Sequence, residues 1–130
     1  MNKLIFSTNA AKQLINSVDF AKAELIPAIA IDFVSNEVLM QAWINKEALF
    51  ETLTTGQVCY YSRSKNALWR KGETSGHVQH LHSVRLDCDN DCIMFLVEQL
   101  GAACHTFRRN CFFQQATKEG DWQIISNPIL

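Results

Sequence analysis

VQHLHSVRLDCDNDCIMFLVEQ, residues Val78–Gln99, sets two apolar runs on either side of Asp89-Asn90-Asp91. Asp and Asn form local side-chain hydrogen bonds that favour turns, so the stretch predicts strands over 78–87 and 93–99 paired as an antiparallel hairpin. Before it, Val58–Ser62 predicts another strand. Asn45 is a helix N-cap for Lys46–Thr54, because its side-chain oxygen can accept an orphan amide, and Gly56 suits the left-handed residue that follows the helix. Ala28–Phe33 and Glu37–Trp43, split by Ser35-Asn36, predict a second hairpin, and Ala10–Asn16 a short helix. After it, Cys111–Thr117 and Trp122–Ile125 predict two more strands. The expected fold is α+β and predominantly β: a small compact domain with an antiparallel or mixed sheet and one main helix.

Composition bounds the function. At 130 residues, with 48% hydrophobic and 19% charged, the chain reads as one globular domain over residues 1–130. Neither a repeat nor a long linker interrupts it. Twelve basic against thirteen acidic residues leave a net charge of −1, which provides no global attraction for nucleic acid or an anionic membrane. No run is long enough to span a bilayer, and Leu4-Ile5-Phe6 is too brief for a signal-peptide core, so a cytoplasmic location is expected. Five cysteines, at 59, 88, 92, 104 and 111, form an odd set in a chain expected in a reducing compartment, so ligation or catalysis explains them better than disulfides.

Asp87-Cys88-Asp89-Asn90-Asp91 alternates carboxylates. In an extended backbone Asp87, Asp89 and Asp91 share one face while Cys88 and Cys92 take the other. Hard oxygens on one side suit Mg²⁺, and thiolates on the other suit Zn²⁺. The segment also opens like a calcium-binding EF-hand loop, with Glu98 at the twelfth position, but Cys92 stands where glycine is required and a core strand follows. Cys104 and Cys111 lack the short spacing of a zinc ribbon, and either could be a buried small hydrophobe, as Cys59 and Cys92 are expected to be. With Cys88 they would supply three thiolates and leave a fourth zinc position for water.

Lys71-Gly72-Glu73-Thr74-Ser75-Gly76-His77 is a polar loop bracketed by glycines, able to bring backbone amides close to phosphate. It is not a Walker A loop, since no lysine follows the second glycine. Between Arg63 and Arg85 five basic residues (Arg63, Lys65, Arg70, Lys71, Arg85) stand against one acid, Glu73, marking a candidate phosphate site or a basic strand edge. Trp69 beside it offers a surface on which a base could stack, or a core side chain.

Together four motifs resemble the phosphoribosyl-AMP cyclohydrolase family: YYSRS at Tyr60–Ser64, LWRKGETSGHVQ at Leu68–Gln79, RLDCDND at Arg85–Asp91 and ACHTFRRNCFF at Ala103–Phe113. The resemblance covers about Val38–Phe113. It implies a homodimer in which Asp87, Asp89 and Asp91 bind Mg²⁺, while Cys88 of one subunit and Cys104 and Cys111 of the other bind Zn²⁺. It further implies hydrolytic opening of the adenine ring of phosphoribosyl-AMP between N1 and C6 by zinc-bound hydroxide, a step of histidine biosynthesis. His105 is the expected proton shuttle, because histidine titrates near neutrality. Arg63, Trp69, Lys71, Glu73, Thr74, Ser75 and Gly76 are the expected substrate-binding residues. The chain departs from the family at His77, where Asn is common, and at Phe107, where Gly is expected. No pyrophosphohydrolase domain of the kind found in some relatives is expected within 130 residues, so the chain reads as monofunctional.

Two other classes share some of these features. A zinc deaminase of cytidine or adenine type pairs H-x-E with P-C-x-x-C, and neither element is present. A zinc-clamped dimerisation module would close the metal with a fourth protein ligand such as His105, whereas an enzyme would leave that corner to water.

Overall fold

The computed structural model describes residues 2–130. Helix α1, Thr8–Asn16, begins two residues before the expected start because Ser7 Oγ accepts the Ala10 amide at 3.1 Å and caps it. Strands β1 (Ile26–Asp32) and β2 (Val38–Ile44) form the expected first hairpin. Helix α2, Lys46–Thr55, is capped by Asn45, which accepts the Ala48 amide at 2.8 Å, and ends on Gly56 at φ 72°. Then come β3 (Cys59–Ser62), β4 (Ala67–Arg70), β5 (Gln79–Leu86), β6 (Ile93–Gln99), β7 (Gln114–Ala116) and β8 (Trp122–Ile124).

Six strands form one sheet in the order β4-β3-β2-β1-β6-β5. β5 and β6 pair antiparallel as the opening stretch predicts, from Gln79 opposite Gln99 to Leu86 opposite Ile93. β1 pairs parallel with β6, Ala28 opposite Ile93, which makes the sheet mixed. The sheet curls until its ends approach: Gln57, just before β3, bridges His80 of β5, and the Val58 amide donates to the Gln79 carbonyl at 3.0 Å.

The core lies inside that curl, where Ile26, Leu39, Ile44, Tyr60, Leu81, Phe95 and Val97 meet Leu49 and Leu53 of α2. It is not wholly apolar. Tyr60 Oη donates to Gln79 Oε1 at 2.7 Å, and Gln79 Nε2 donates to Gln99 Oε1 at 2.8 Å, so three strands are tied by one buried network. Among the described residues no buried side-chain nitrogen or oxygen lacks a partner, which spares the fold the desolvation cost of an unsatisfied polar group.

Two expectations need correction. The sequence predicts no strand over Ala67–Arg70, yet β4 forms there, pairing only with β3 at the sheet edge. The strand expected over Cys111–Thr117 shortens to Gln114–Ala116, because Cys111 instead turns back to β2, its amide donating to the Leu39 carbonyl at 2.8 Å. Among the described residues no helix is long and apolar enough to cross a membrane.

Candidate active site

The three aspartates converge, but not by the expected route. Residues 87–92 form a turn rather than an extended strand: Asp87 Oδ1 accepts the Asp91 amide at 2.9 Å and the Cys92 amide at 3.1 Å, while Asn90 sits at φ 65°. One carboxylate oxygen each from Asp87, Asp89 and Asp91 thereby fall within 4.8 Å of one another. Desolvation opposes ionisation of Asp87, yet the amides of Asp91 and Cys92 hold its carboxyl below the ordinary range. Hydrogen bonds to Asp91 and Asp87 and their negative charge push Asp89 upward. Three carboxylate oxygens this close form a hard donor set that could hold a divalent ion.

Lys22 supplies a cation that sequence reasoning missed. Its Nζ lies 3.4 Å from Asp91 Oδ2 and 3.9 Å from Asp89 Oδ2. No spacing rule connects a lysine in an irregular turn to a cluster so distant along the chain. A cleft of about 480 Å³ opens beside this turn, lined by α1's C-terminal end, Asp19, Lys46 and Asp89.

The second group is a thiol pair. After β6 the chain folds back on itself, the Ala103 amide donating to the Arg109 carbonyl at 3.1 Å and the Cys104 amide to that of Arg108 at 3.2 Å. This brings the Cys104 and Cys111 sulfurs into mutual interaction. Desolvation works against the Cys104 thiolate, but the Thr106 hydroxyl (3.0 Å) and backbone, Cys111 and Arg108 outweigh it and lower its pKa. Cys111 is pushed up to about 11, by desolvation at its sulfur first and by the charge of Cys104 second, although the residue as a whole is exposed. One thiolate thus suppresses the other, and a soft cation would permit both to ionise. Cys88 is exposed and does not join them in a three-ligand cluster within one chain. Cys59 is fully buried, as expected, and its thiol is raised to about 12 by that burial, whereas Cys92, expected to be buried as well, is only partly so.

Arg109 holds the thiol loop in place. It bonds Asp32 Oδ2 at 2.5 Å, lies 3.6 Å from Glu37 Oε1, and donates to the carbonyls of Gln99 and Gly101. The sequence marked it only as half of a basic pair. His105 is exposed beside Cys104, and its ring makes no hydrogen bond to the described residues.

The expected substrate residues divide. Lys71 is buried rather than displayed on the loop: its Nζ donates to the Ala103 carbonyl at 2.7 Å and faces Trp69 at 5.5 Å from the ring centre. Burial lowers its pKa, partly countered by the neighbouring thiols of Cys111 and Cys104. Gly72, at φ 79°, admits no side chain, since a Cβ would meet the Val78 nitrogen at 2.4 Å. Glu73, Thr74, Ser75 and Gly76 form the exposed rim of the loop. A cleft of about 620 Å³ between this loop and α2 is lined by Glu51, Arg70, Lys71, Glu73 and Gly76, among others. Trp69 is partly exposed against Tyr60. Arg63 does not line this cleft; it lies over Trp43, 5.2 Å from the ring centre. His77 reaches the thiol loop, its ring lying over Gly101 so closely that a methyl there would come within 2.7 Å.

Comparison with known proteins places this α+β scaffold among enzymes of the cyclohydrolase class. The sequence pattern of phosphoribosyl-AMP cyclohydrolase matches residues 40–113, which include the aspartate turn, the basic loop and the thiol pair. The chain belongs to the phosphoribosyl-AMP cyclohydrolase family. The phosphoribosyl-AMP cyclohydrolase of Acidiphilium cryptum is 58% identical over 82% of this chain and 92% of its own. That of Halorhodospira halophila is 54% identical over 88% of this chain and 80% of its own. That of Magnetococcus marinus is 56% identical over 80% of each.

Proposed function

We propose that residues 1–130 form one catalytic domain that opens the adenine ring of phosphoribosyl-AMP at the N1–C6 bond, the cyclohydrolase step of histidine biosynthesis. Water oxygen joins C6, the C6–N1 bond breaks, and N1 takes a proton. The exocyclic nitrogen stays on C6 as the carboxamide of the formimino aminoimidazole carboxamide ribonucleotide. A phosphoribosyl group on N1 leaves C6 electron-poor, so the demand on the protein is a nucleophile at neutral pH and a place for the proton.

The observation that carries this reading is the Cys104–Cys111 pair, in which Cys104 is favoured as the thiolate and Cys111 is held as the thiol, beside the carbonyl-anchored ammonium of Lys71. The donor set fits zinc, and we assign it Cys104 and Cys111 from one subunit and Cys88 from the other. Zinc bound there supplies Lewis acidity, lowering the pKa of a coordinated water to about 7. Lys71 fixes the Ala103 carbonyl and so the approach of Cys104. His105, exposed next to Cys104, is the candidate to carry the proton to N1. Asp87, Asp89 and Asp91 fit Mg²⁺, which with the rim at Glu73–Gly76 would hold the substrate phosphates.

A homodimer is part of the proposal. Cys88 is exposed and belongs to no group of three or more ligands among the described residues, and Phe107, Phe112, Trp122, Ile124 and Ile125 near the thiol loop are exposed apolar side chains suited to burial against a second copy.

Absorbance-monitored turnover of phosphoribosyl-AMP by purified protein tests the reading. Turnover should vanish with a chelator and return with Zn²⁺ and Mg²⁺. Cys104→Ser and Cys111→Ser should each lose zinc and turnover together. Full turnover by either variant without zinc would overturn the assignment.

A further inference from the structure

We propose that Lys22 is a tethered counter-cation of the Asp87–Asp89–Asp91 cluster, one that a divalent ion must displace and that therefore weakens the ion's binding. The inference rests on the carboxylate-site reading above and adds a residue outside the matched segment 40–113.

Lys22 does not reach the cluster by chance. Its turn is fastened to the aspartate turn through the backbone, the Asp19 amide donating to the Asn90 carbonyl at 2.7 Å, and Asp19 Oδ1 accepts the Ala21 amide at 3.2 Å. From that base the ammonium lies 3.4 Å from both the Asp89 carbonyl oxygen and Asp91 Oδ2, and 3.9 Å from Asp89 Oδ2 and Asp19 Oδ2. These contacts are long for charge-assisted hydrogen bonds, which run about 2.7–2.9 Å. The ammonium is thus a loose partner that balances charge without filling the space between the carboxylates.

Mg²⁺ takes oxygens at about 2.0–2.1 Å, so an ion held by the three aspartates would leave Lys22 within a few ångströms of a dication. Repulsion then drives the side chain outward, and Asp19 remains to receive it. The side chain is about half exposed (48%), so both the attraction it gives up and the repulsion it avoids are screened by salt. Without the ion, Lys22 relieves the mutual repulsion of the aspartates and keeps the turn assembled. With it, the lysine is a competitor.

The test is a titration of zinc-loaded protein with Mn²⁺, free ion being read by its electron paramagnetic resonance signal. Wild type should bind Mn²⁺ at a site that Asp89→Asn abolishes. Lys22→Gln should bind roughly three- to tenfold more tightly at low ionic strength, the difference shrinking toward none in about 0.5 M KCl, while Lys22→Arg should match wild type. If wild type binds no Mn²⁺, or Asp89→Asn binds it unchanged, the carboxylate site fails and the proposal with it. If the site behaves as described but Lys22→Gln is unchanged or weaker, or Lys22→Arg shifts as much as Lys22→Gln, the role of Lys22 alone is overturned.

Discussion

Phe107 holds a backbone conformation that L side chains avoid, φ 65°, between the two cysteines of the thiol pair. Its amide donates to the Cys104 carbonyl and its own carbonyl accepts the Ile129 amide, so the loop cannot relax out of it without losing both bonds. That is why glycine suits this position. Phe107→Gly should be more stable than Phe107→Ala by about 1 kcal/mol in urea unfolding, because only the alanine keeps a Cβ in the left-handed region. Equal stabilities would mean that this backbone strain is not the governing term. Asp32 gives the second residue-scale prediction. Partial burial opposes its ionisation, but the amides of Ser35 and Val34 and the guanidinium of Arg109 prevail and lower its pKa. A depressed carboxylate stabilises the fold above its unfolded pKa of about 3.9, and that contribution is lost as pH falls through the lower folded value. Asp32→Asn should therefore cost about 1–2 kcal/mol at pH 7, Arg109 being partly solvent-screened, and the gap from wild type should narrow on acidification. A gap that is constant from neutral pH to pH 3 would exclude the ionic origin.

Among the elements, α2 shows how legible a segment becomes when its end signals are chemical. Asn45 and Gly56 mark its two ends, and both do what the sequence predicts. Gly56 does more, since a Cβ there would lie 2.9 Å from the Leu4 carbonyl oxygen. Gly56→Ala should cost about 2 kcal/mol or more, from the positive φ and the displaced N-terminal segment together, measurable as a fall in Tm. A loss under about 0.5 kcal/mol would show that the segment before α1 yields freely. Less legible was β4, four residues with one neighbour strand, where Trp69 and Arg70 read as a basic edge instead of as partners of Tyr60 and Cys59. The aspartate turn was legible in composition and not in geometry. Alternation predicts convergence for an extended strand, whereas the same three oxygens meet because Asp87 caps the amides of Asp91 and Cys92. Lys71 illustrates the remaining difficulty: nothing in a glycine-bracketed loop announces that its lysine turns inward to a carbonyl.

For the whole molecule the proposed site spans two chains, and that can be tested by mixing. If Cys88 of one subunit serves Cys104 and Cys111 of the other, then Cys88→Ser and Cys111→Ser proteins are each inactive, but a heterodimer of the two has one intact site. After subunit exchange the mixture should recover about a quarter of wild-type turnover, half the dimers being mixed with one good site in two. No recovery, with exchange verified by mass after one of the two proteins has been labelled with ¹⁵N, would place all the ligands on one chain. The parallel pairing of β1 with β6 has a consequence during synthesis. β1 leaves the ribosome early with a sticky edge whose permanent neighbour has not yet been translated, and its hairpin with β2 can cover only the other edge. Closure of the curl must therefore wait until translation passes Gln99, and until then the emerging N-terminal half carries an unpaired strand edge of the kind that invites wrong partners.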